Sequence, residues 1–145
     1  ARRVHQGFGH RFRRLLGAML KDREATGLTG ATTLALGFML PAVLVPGTPA
    51  LAGVLIAGLA DPAAGLAGRR ARRLRYPGGK SVAGSVTFFI VALGITLALG
   101  LGPVVSLVVA VLVTVVESFS FRIDDNLYVP LAAAWAVALS GHGGV

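Results

Sequence analysis

The chain has no cysteine, which excludes a disulfide framework and any Cys-based metal or redox centre. Acidic side chains are nearly as scarce, with 6 Asp and Glu against 14 Lys and Arg in 145 residues. Charge is missing altogether from residues 25–60 and again from 81–116. A soluble domain of this size needs more polar cover than 14% charged residues offer beside 54% hydrophobic ones. Histidine is sparse as well. His5, His10 and His142 show no ligand spacing, and no Ser/His/Asp arrangement is present. The net charge of +8 invites a nucleic-acid reading. The basic residues flank apolar runs, however, with no aromatic-interleaved basic surface and no reader module, so nucleic acid is not an expected partner.

What is present points to the bilayer. Mean hydropathy is +0.76, and each uncharged run is long enough for most of a two-helix hairpin. The 20 glycines suit membrane helices, whose backbones approach closely at small residues. Turn and charge signals divide the chain into an all-α, polytopic transmembrane helix bundle of about five spans. These fall at about 27–45, 50–68, 81–99, 104–121 and 126–140, separated by Pro46-Gly47-Thr48-Pro49, a basic loop at 69–80, Gly100-Leu101-Gly102-Pro103, and a charged junction after Phe121.

With five spans, the basic residues before the first, the loop Arg69 to Lys80, and Arg122 all share one side. The two opposite links carry no Lys or Arg. The positive-inside rule makes the basic side cytoplasmic. Residues 1–24 form a basic amphipathic segment in which Phe8, Phe12, Leu15, Leu16 and Met19 recur at helical spacing. Such a segment suits an interfacial helix on anionic headgroups, or a cytoplasmic connection from an earlier helix. Beginning at Ala1 without a signal-like apolar run, the chain reads as truncated or processed at its amino terminus.

Four of the acids sit at or inside the expected spans: Asp61, Glu117, Asp124 and Asp125. A charge at mid-bilayer costs roughly 2.5–3.5 kcal/mol on insertion scales, so an intramembrane carboxylate is a functional candidate by default. The topology gathers all four on the side of the basic loop. Carboxylates with Arg and Lys in a wet cavity suit a divalent cation, Mg²⁺ above all, and a polyphosphate. Plainer roles stand beside these. Asp61 before Pro62 can cap a restarting helix, or the helix can continue with the carbonyl of Gly58 released. Glu117 can simply pair with an Arg of the loop, and one of Asp124, Asp125 and Asn126 can cap the last span. Gly78-Gly79-Lys80-Ser81 fails as a P-loop, because Leu74 stands where that pattern needs Gly. Its glycines and helix start nonetheless favour an anion.

The run Asp61-Pro62-Ala63-Ala64-Gly65-Leu66-Ala67-Gly68-Arg69-Arg70, followed by Gly79-Lys80-Ser81-Val82-Ala83-Gly84-Ser85, resembles the central motif of CTP-dependent lipid kinases. That group comprises dolichol, phytol and yeast-type diacylglycerol kinases and is related to phosphatidate cytidylyltransferases. Arg23-Glu24 with Leu28-Thr29-Gly30-Ala31-Thr32, and Glu117-Ser118 with Asp124-Asp125-Asn126-Leu127 and Pro130, resemble its flanking segments. Ala60 and Pro62 depart from the usual pattern around the acid.

The resemblance implies that 25–145 is a transmembrane catalytic domain transferring the γ-phosphoryl of CTP to a lipid alcohol. It assigns Asp61, Glu117 and Asp125 to catalysis and to Mg²⁺ or another divalent cation. Gly68, Arg69, Arg70, Gly79, Lys80, Ser81, Gly84 and Asn126 would bind the nucleotide. The cytidylyltransferase relatives carry Lys-Thr-Trp-Glu-Gly where this chain has Lys80-Ser81-Val82-Ala83-Gly84, which favours the kinase side. The alternatives are a cytidylyltransferase-like enzyme forming a CDP-lipid, and a non-enzymatic transport or assembly subunit. In the last, an ion path follows Asp61 and Glu117, or contacts at Ala57, Ala60, Ala64 and Gly68 hold a partner or a second copy of the chain.

Overall fold

The computed structural model describes residues 30–71, 75–76, 79–119 and 125–142. The amino-terminal segment and its expected interfacial helix, Arg72, Arg73, Arg122, Asp124 and the side chain of Asp125 lie outside the described residues. Five helices make up the rest: α1 (Gly30–Leu44), α2 (Thr48–Arg70), α3 (Val82–Ala98), α4 (Pro103–Phe119) and α5 (Asp125–Val137), which continues from Ala138 and breaks at Gly141, where φ is +86°. Among the described residues there is no strand, only an isolated bridge between Arg75 and Ser81. Each helix lies within a turn of its expected position. One of them, α2 at 23 residues, is long and apolar enough to cross a bilayer; the other four are shorter apolar helices.

The breaks between helices follow from local chemistry. Gly47 stands at φ +86°, and Pro49 opens α2 where a missing N–H costs nothing. At the end of α3, Leu101 N–H donates to the Thr96 carbonyl and Gly100 N–H to the Leu97 carbonyl, while Gly100 sits at φ +78°. This is a Schellman closure, with Leu101 buried behind it. Pro103 then starts α4.

Helices α2 and α5 are the inner pair. The first packs on α1, α3 and α5, the second on α1, α2 and α4, and α3 also packs on α4. Ile56, Phe88, Val109, Val113, Val129 and Val137 form the centre of the core. Large apolar side chains also face outward, among them Met39, Val43, Ile90, Val104 and Leu139.

Close crossings set the geometry. Pro130 lacks an N–H, so it cannot make the usual bond to the carbonyl of Asn126, four residues earlier in α5. That carbonyl lies against Gly37 of α1, where a Cβ would come within van der Waals contact distance and clash. The carbonyl of Pro130 presses on Gly53 of α2 in the same manner. Backbones approach this closely only where a side chain is absent.

The Asp61–Pro62 sequence does not restart a helix. Asp61 has helical angles (φ −66°, ψ −50°) and α2 continues through it, widened into a π segment at Ile56–Ala60. The capping alternative is thereby corrected. Pro62 cannot donate, and its ring crowds the carbonyl of Gly58, so the helix takes up the strain as a π turn just before it.

Candidate functional site

The second half of α2 carries Asp61, Ala64, Gly65, Gly68 and Arg69 at helical spacing, hence on one face. That face meets the start of α3 and the end of α4 around a polar pocket of about 240 Å³. Its wall includes those five residues together with Arg75, Gly79, Lys80, Ser81, Gly84, Ser85 and Glu117. The volume falls below the roughly 300–1,000 Å³ that encloses a whole small-molecule ligand. It suits a phosphate-sized group with the remainder of a ligand outside.

Ser81 takes extended angles (φ −105°, ψ 144°), and its hydroxyl accepts from the Gly84 N–H at 3.0 Å. It is therefore the N-cap of α3. Gly68 is the reason this cap fits against α2: a Cβ there would stand 2.5 Å from Ser81 Oγ. A Cβ on Gly84 would meet the Ala64 carbonyl at 3.1 Å. The two glycines expected in nucleotide binding thus also set the α2–α3 spacing. The residue before the cap is placed by a tight reversal, in which Tyr76 N–H donates to the Lys80 carbonyl at 2.8 Å and Arg75 donates to the Gly79 carbonyl at 2.9 Å. Gly79 sits at φ +86°, a conformation few other residues adopt without strain.

The reversal brings Lys80 to Glu117. Lys80 Nζ stands 2.7 Å from Glu117 Oε1 and also donates to the Glu117 backbone carbonyl. Glu117 is 5% exposed, so its carboxylate is buried, and its counter-charge on Lys80 is part-buried. The other oxygen, Oε2, lies 3.4 Å from Ser85 Oγ and 3.4 Å from Ser118 Oγ, and these two hydroxyls are 3.1 Å apart. Among the described residues the partner of Glu117 is Lys80, where the plain reading had a loop arginine.

Cations outnumber anions around this pocket. Arg69 and Arg75 are exposed at its mouth, Lys80 is matched by Glu117, and Asp61 adds one negative charge. The first turn of α3 contributes a helix N-terminus, which favours an anion. Among the described residues no three His, Cys, Asp or Glu side chains group as a metal site. The donor set still fits Mg²⁺, which takes one or two carboxylates and completes its shell with water and substrate phosphates. Two carboxylates line the pocket, Asp61 and Glu117, and Glu117 Oε1 is paired with Lys80.

Of the expected site residues, Asp61, Gly68, Arg69, Gly79, Lys80, Ser81, Gly84 and Glu117 come together in this pocket. The pocket wall does not include Arg70, which is exposed at the end of α2, or Asn126, whose backbone packs on Gly37. Asp125 begins α5. Arg75, Ser85 and Ser118 were not expected as site residues. Ser85 had a signal in the sequence, since it follows Ser81 by four residues and shares its helix face. The stripe Ala57, Ala60, Ala64 and Gly68, open to an assembly reading in the sequence, is used within the chain: its alanines are buried and Gly68 packs on Ser81.

No family model matches the chain, and no solved structure matches it. A protein of Rickettsia prowazekii (strain Madrid E), "Uncharacterized protein RP860", is 36% identical over 122 residues, covering 78% of this chain and 59% of that protein. The chain thus spans less than two thirds of the length of the relative it matches.

Proposed function

We propose that this chain is the nucleotide- and metal-binding part of a polytopic membrane enzyme that transfers the γ-phosphoryl group of CTP to a lipid alcohol. The observation that carries the reading is the convergence of Asp61, Arg69, Arg75, Lys80 and Glu117 around the capped start of α3. Phosphoryl transfer asks for positioning and charge neutralisation more than for covalent chemistry. Asp61 would hold Mg²⁺ against the phosphates, and Arg69 and Arg75 would meet the remaining charge at the mouth. Glu117 holds the Lys80 ammonium at the pocket wall, so little ordering remains to be done when a phosphate arrives.

Multiple crossings are supported by the apolar outward faces, by α3 and α4 at 17 residues each, near the short end of what spans a bilayer, and by the charges at one end. The basic end is cytoplasmic on this reading. Because the chain is free of cysteine, single cysteines report topology cleanly. His5→Cys and Arg73→Cys should be labelled from the same side of oriented vesicles; labelling from opposite sides overturns the arrangement.

The reaction is tested with labelled CTP, Mg²⁺ and long-chain alcohols. Label from the γ position should enter the lipid, and label from the α position should remain in CDP. Label from the α position in the lipid product would replace the kinase by a cytidylyltransferase.

A further inference from the structure

Ser85 lies on two cavities at once. Beyond the polar pocket it borders a larger one of about 610 Å³ between α3 and α4. Val86, Phe89, Val115 and Phe119 line this groove, and Ser85 and Ser118 stand where its wall turns polar. The hydroxyl of Thr114, also on the wall, is taken up by the Ala110 carbonyl at 2.7 Å. Val86, Val115 and Phe119 are each about half exposed or more, so the groove opens sideways to whatever surrounds the helices. An uncharged wall of this kind accepts a hydrocarbon chain and penalises a charged group.

At the junction of the two cavities the hydrogen bonding is uneven. Oε1 of Glu117 is held at 2.7 Å by Lys80, whereas Oε2, among the described residues, meets two serine hydroxyls at 3.4 Å, the weak edge of the hydrogen-bond range. A hydroxyl arriving between them can donate to Oε2 and accept from a serine, because each serine offers one donor and two acceptors. A carboxylate oxygen attracts a hydroxyl proton and repels a phosphate, so the group that fits is an alcohol and not a lipid phosphate.

We propose that the α3–α4 groove seats the hydrocarbon chain of a long-chain primary alcohol, with its hydroxyl between Ser85 and Ser118 against Glu117 Oε2. The assignment rests on the phosphoryl-transfer reading above and adds the acceptor's place and proton route. As the alcohol oxygen bonds to the γ-phosphorus, the bond from that phosphorus to the β,γ-bridging oxygen breaks. Its electron pair leaves with CDP, and the hydroxyl proton passes to Oε2.

The test uses the full chain in lipid nanodiscs and a long-chain primary alcohol with a diazirine in its tail. Photolabel should fall on α3 between 85 and 89 and on α4 between 114 and 119. The unlabelled alcohol should displace it, and the methyl ether of the same chain should not. Val86→Trp fills the groove at an exposed position and should lower labelling by about tenfold or more, while Leu107→Trp, exposed on α4 but not on the groove wall, should not. Equal displacement by the ether, or label concentrated elsewhere, would overturn the proposal. Turnover of the alcohol with an unchanged KM in Val86→Trp would remove the seat and leave the kinase. Groove labelling in a chain that transfers no phosphoryl group to any alcohol would remove the kinase and the proton route, and leave the seat.

Discussion

The two halves of α2 use one packing device for opposite ends. Before the π segment, Gly53 receives the Pro130 carbonyl of α5 in a close backbone crossing. After it, Gly68 receives the Ser81 cap of α3, and the same absence of side chains leaves room for a polar pocket beside the crossing. The first half faces a proline-bearing helix whose carbonyls are sealed against glycine. The second faces a helix start, which supplies N–H groups and a hydroxyl, with the Lys80–Glu117 pair alongside. Small residues on a helix therefore fix how near the neighbour comes; whether a site results depends on which part of the neighbour is met.

The largest expected effect on stability tests whether the pocket half is held by charge. Removing one member of a buried pair costs roughly 3–5 kcal/mol because the other is left unmatched. The lysine side chain here is 21% exposed and Glu117 7%, so Lys80→Met should fall at the lower end of that range in denaturant unfolding in micelles. The double variant Lys80→Met/Glu117→Leu should recover most of the loss. If Lys80→Met alone is neutral, the two halves of α2 are held in the same way.

Next comes Gly53→Ala, which forces a Cβ onto the Pro130 carbonyl, a backbone atom that cannot swing aside. Overpacking of this sort costs about 1–3 kcal/mol. The loss should appear in thermal unfolding, with nucleotide affinity of the folded fraction unchanged. A parallel loss of affinity would mean that the first half also shapes the pocket.

Ser81→Ala removes the N-cap and should cost about 1 kcal/mol by the same unfolding measurement. It should also weaken nucleotide binding, since the cap orders the pocket wall. A fall in stability with affinity intact would reduce Ser81 to a capping residue.

Last comes Asp61→Asn, a change of charge at nearly constant shape that should still insert, since a neutral side chain is less costly within a span than a carboxylate. Its effect should lie in binding alone. Stabilisation by CTP with Mg²⁺ should be lost, while the weaker stabilisation by CTP without metal should persist. Unchanged Mg²⁺ dependence would take Asp61 out of the site.

Several features of the fold were legible in the sequence. Uncharged runs bounded by Pro46-Gly47 and Gly100-Leu101-Gly102-Pro103 become helices that break at those glycines, because positive φ and a missing N–H act locally. Other features were not legible. Asp61–Pro62 permitted both a capped restart and a continued helix, and local sequence weighs the two evenly. The packed alanines on either side favour continuity, with Ala57, Ala60 and Ala64 buried along one unbroken face.

By itself the sequence determined that the chain is helical and apolar, that its cations gather beyond the ends of its uncharged runs, and that acids, glycines and a basic loop lie near one another along the chain. These are properties of composition and of neighbours a few residues apart, which backbone geometry converts directly into a helix face or a break. Tertiary structure decided the partners. Lys80 and Glu117 are 37 residues apart, and no periodicity says that the lysine, rather than an arginine of the same loop, meets the acid. The reversal at Tyr76–Lys80 and the α3–α4 packing choose it. The same packing sets Ser85 beside Ser118 and opens the groove below them, because a cavity is the space that several helices together fail to fill.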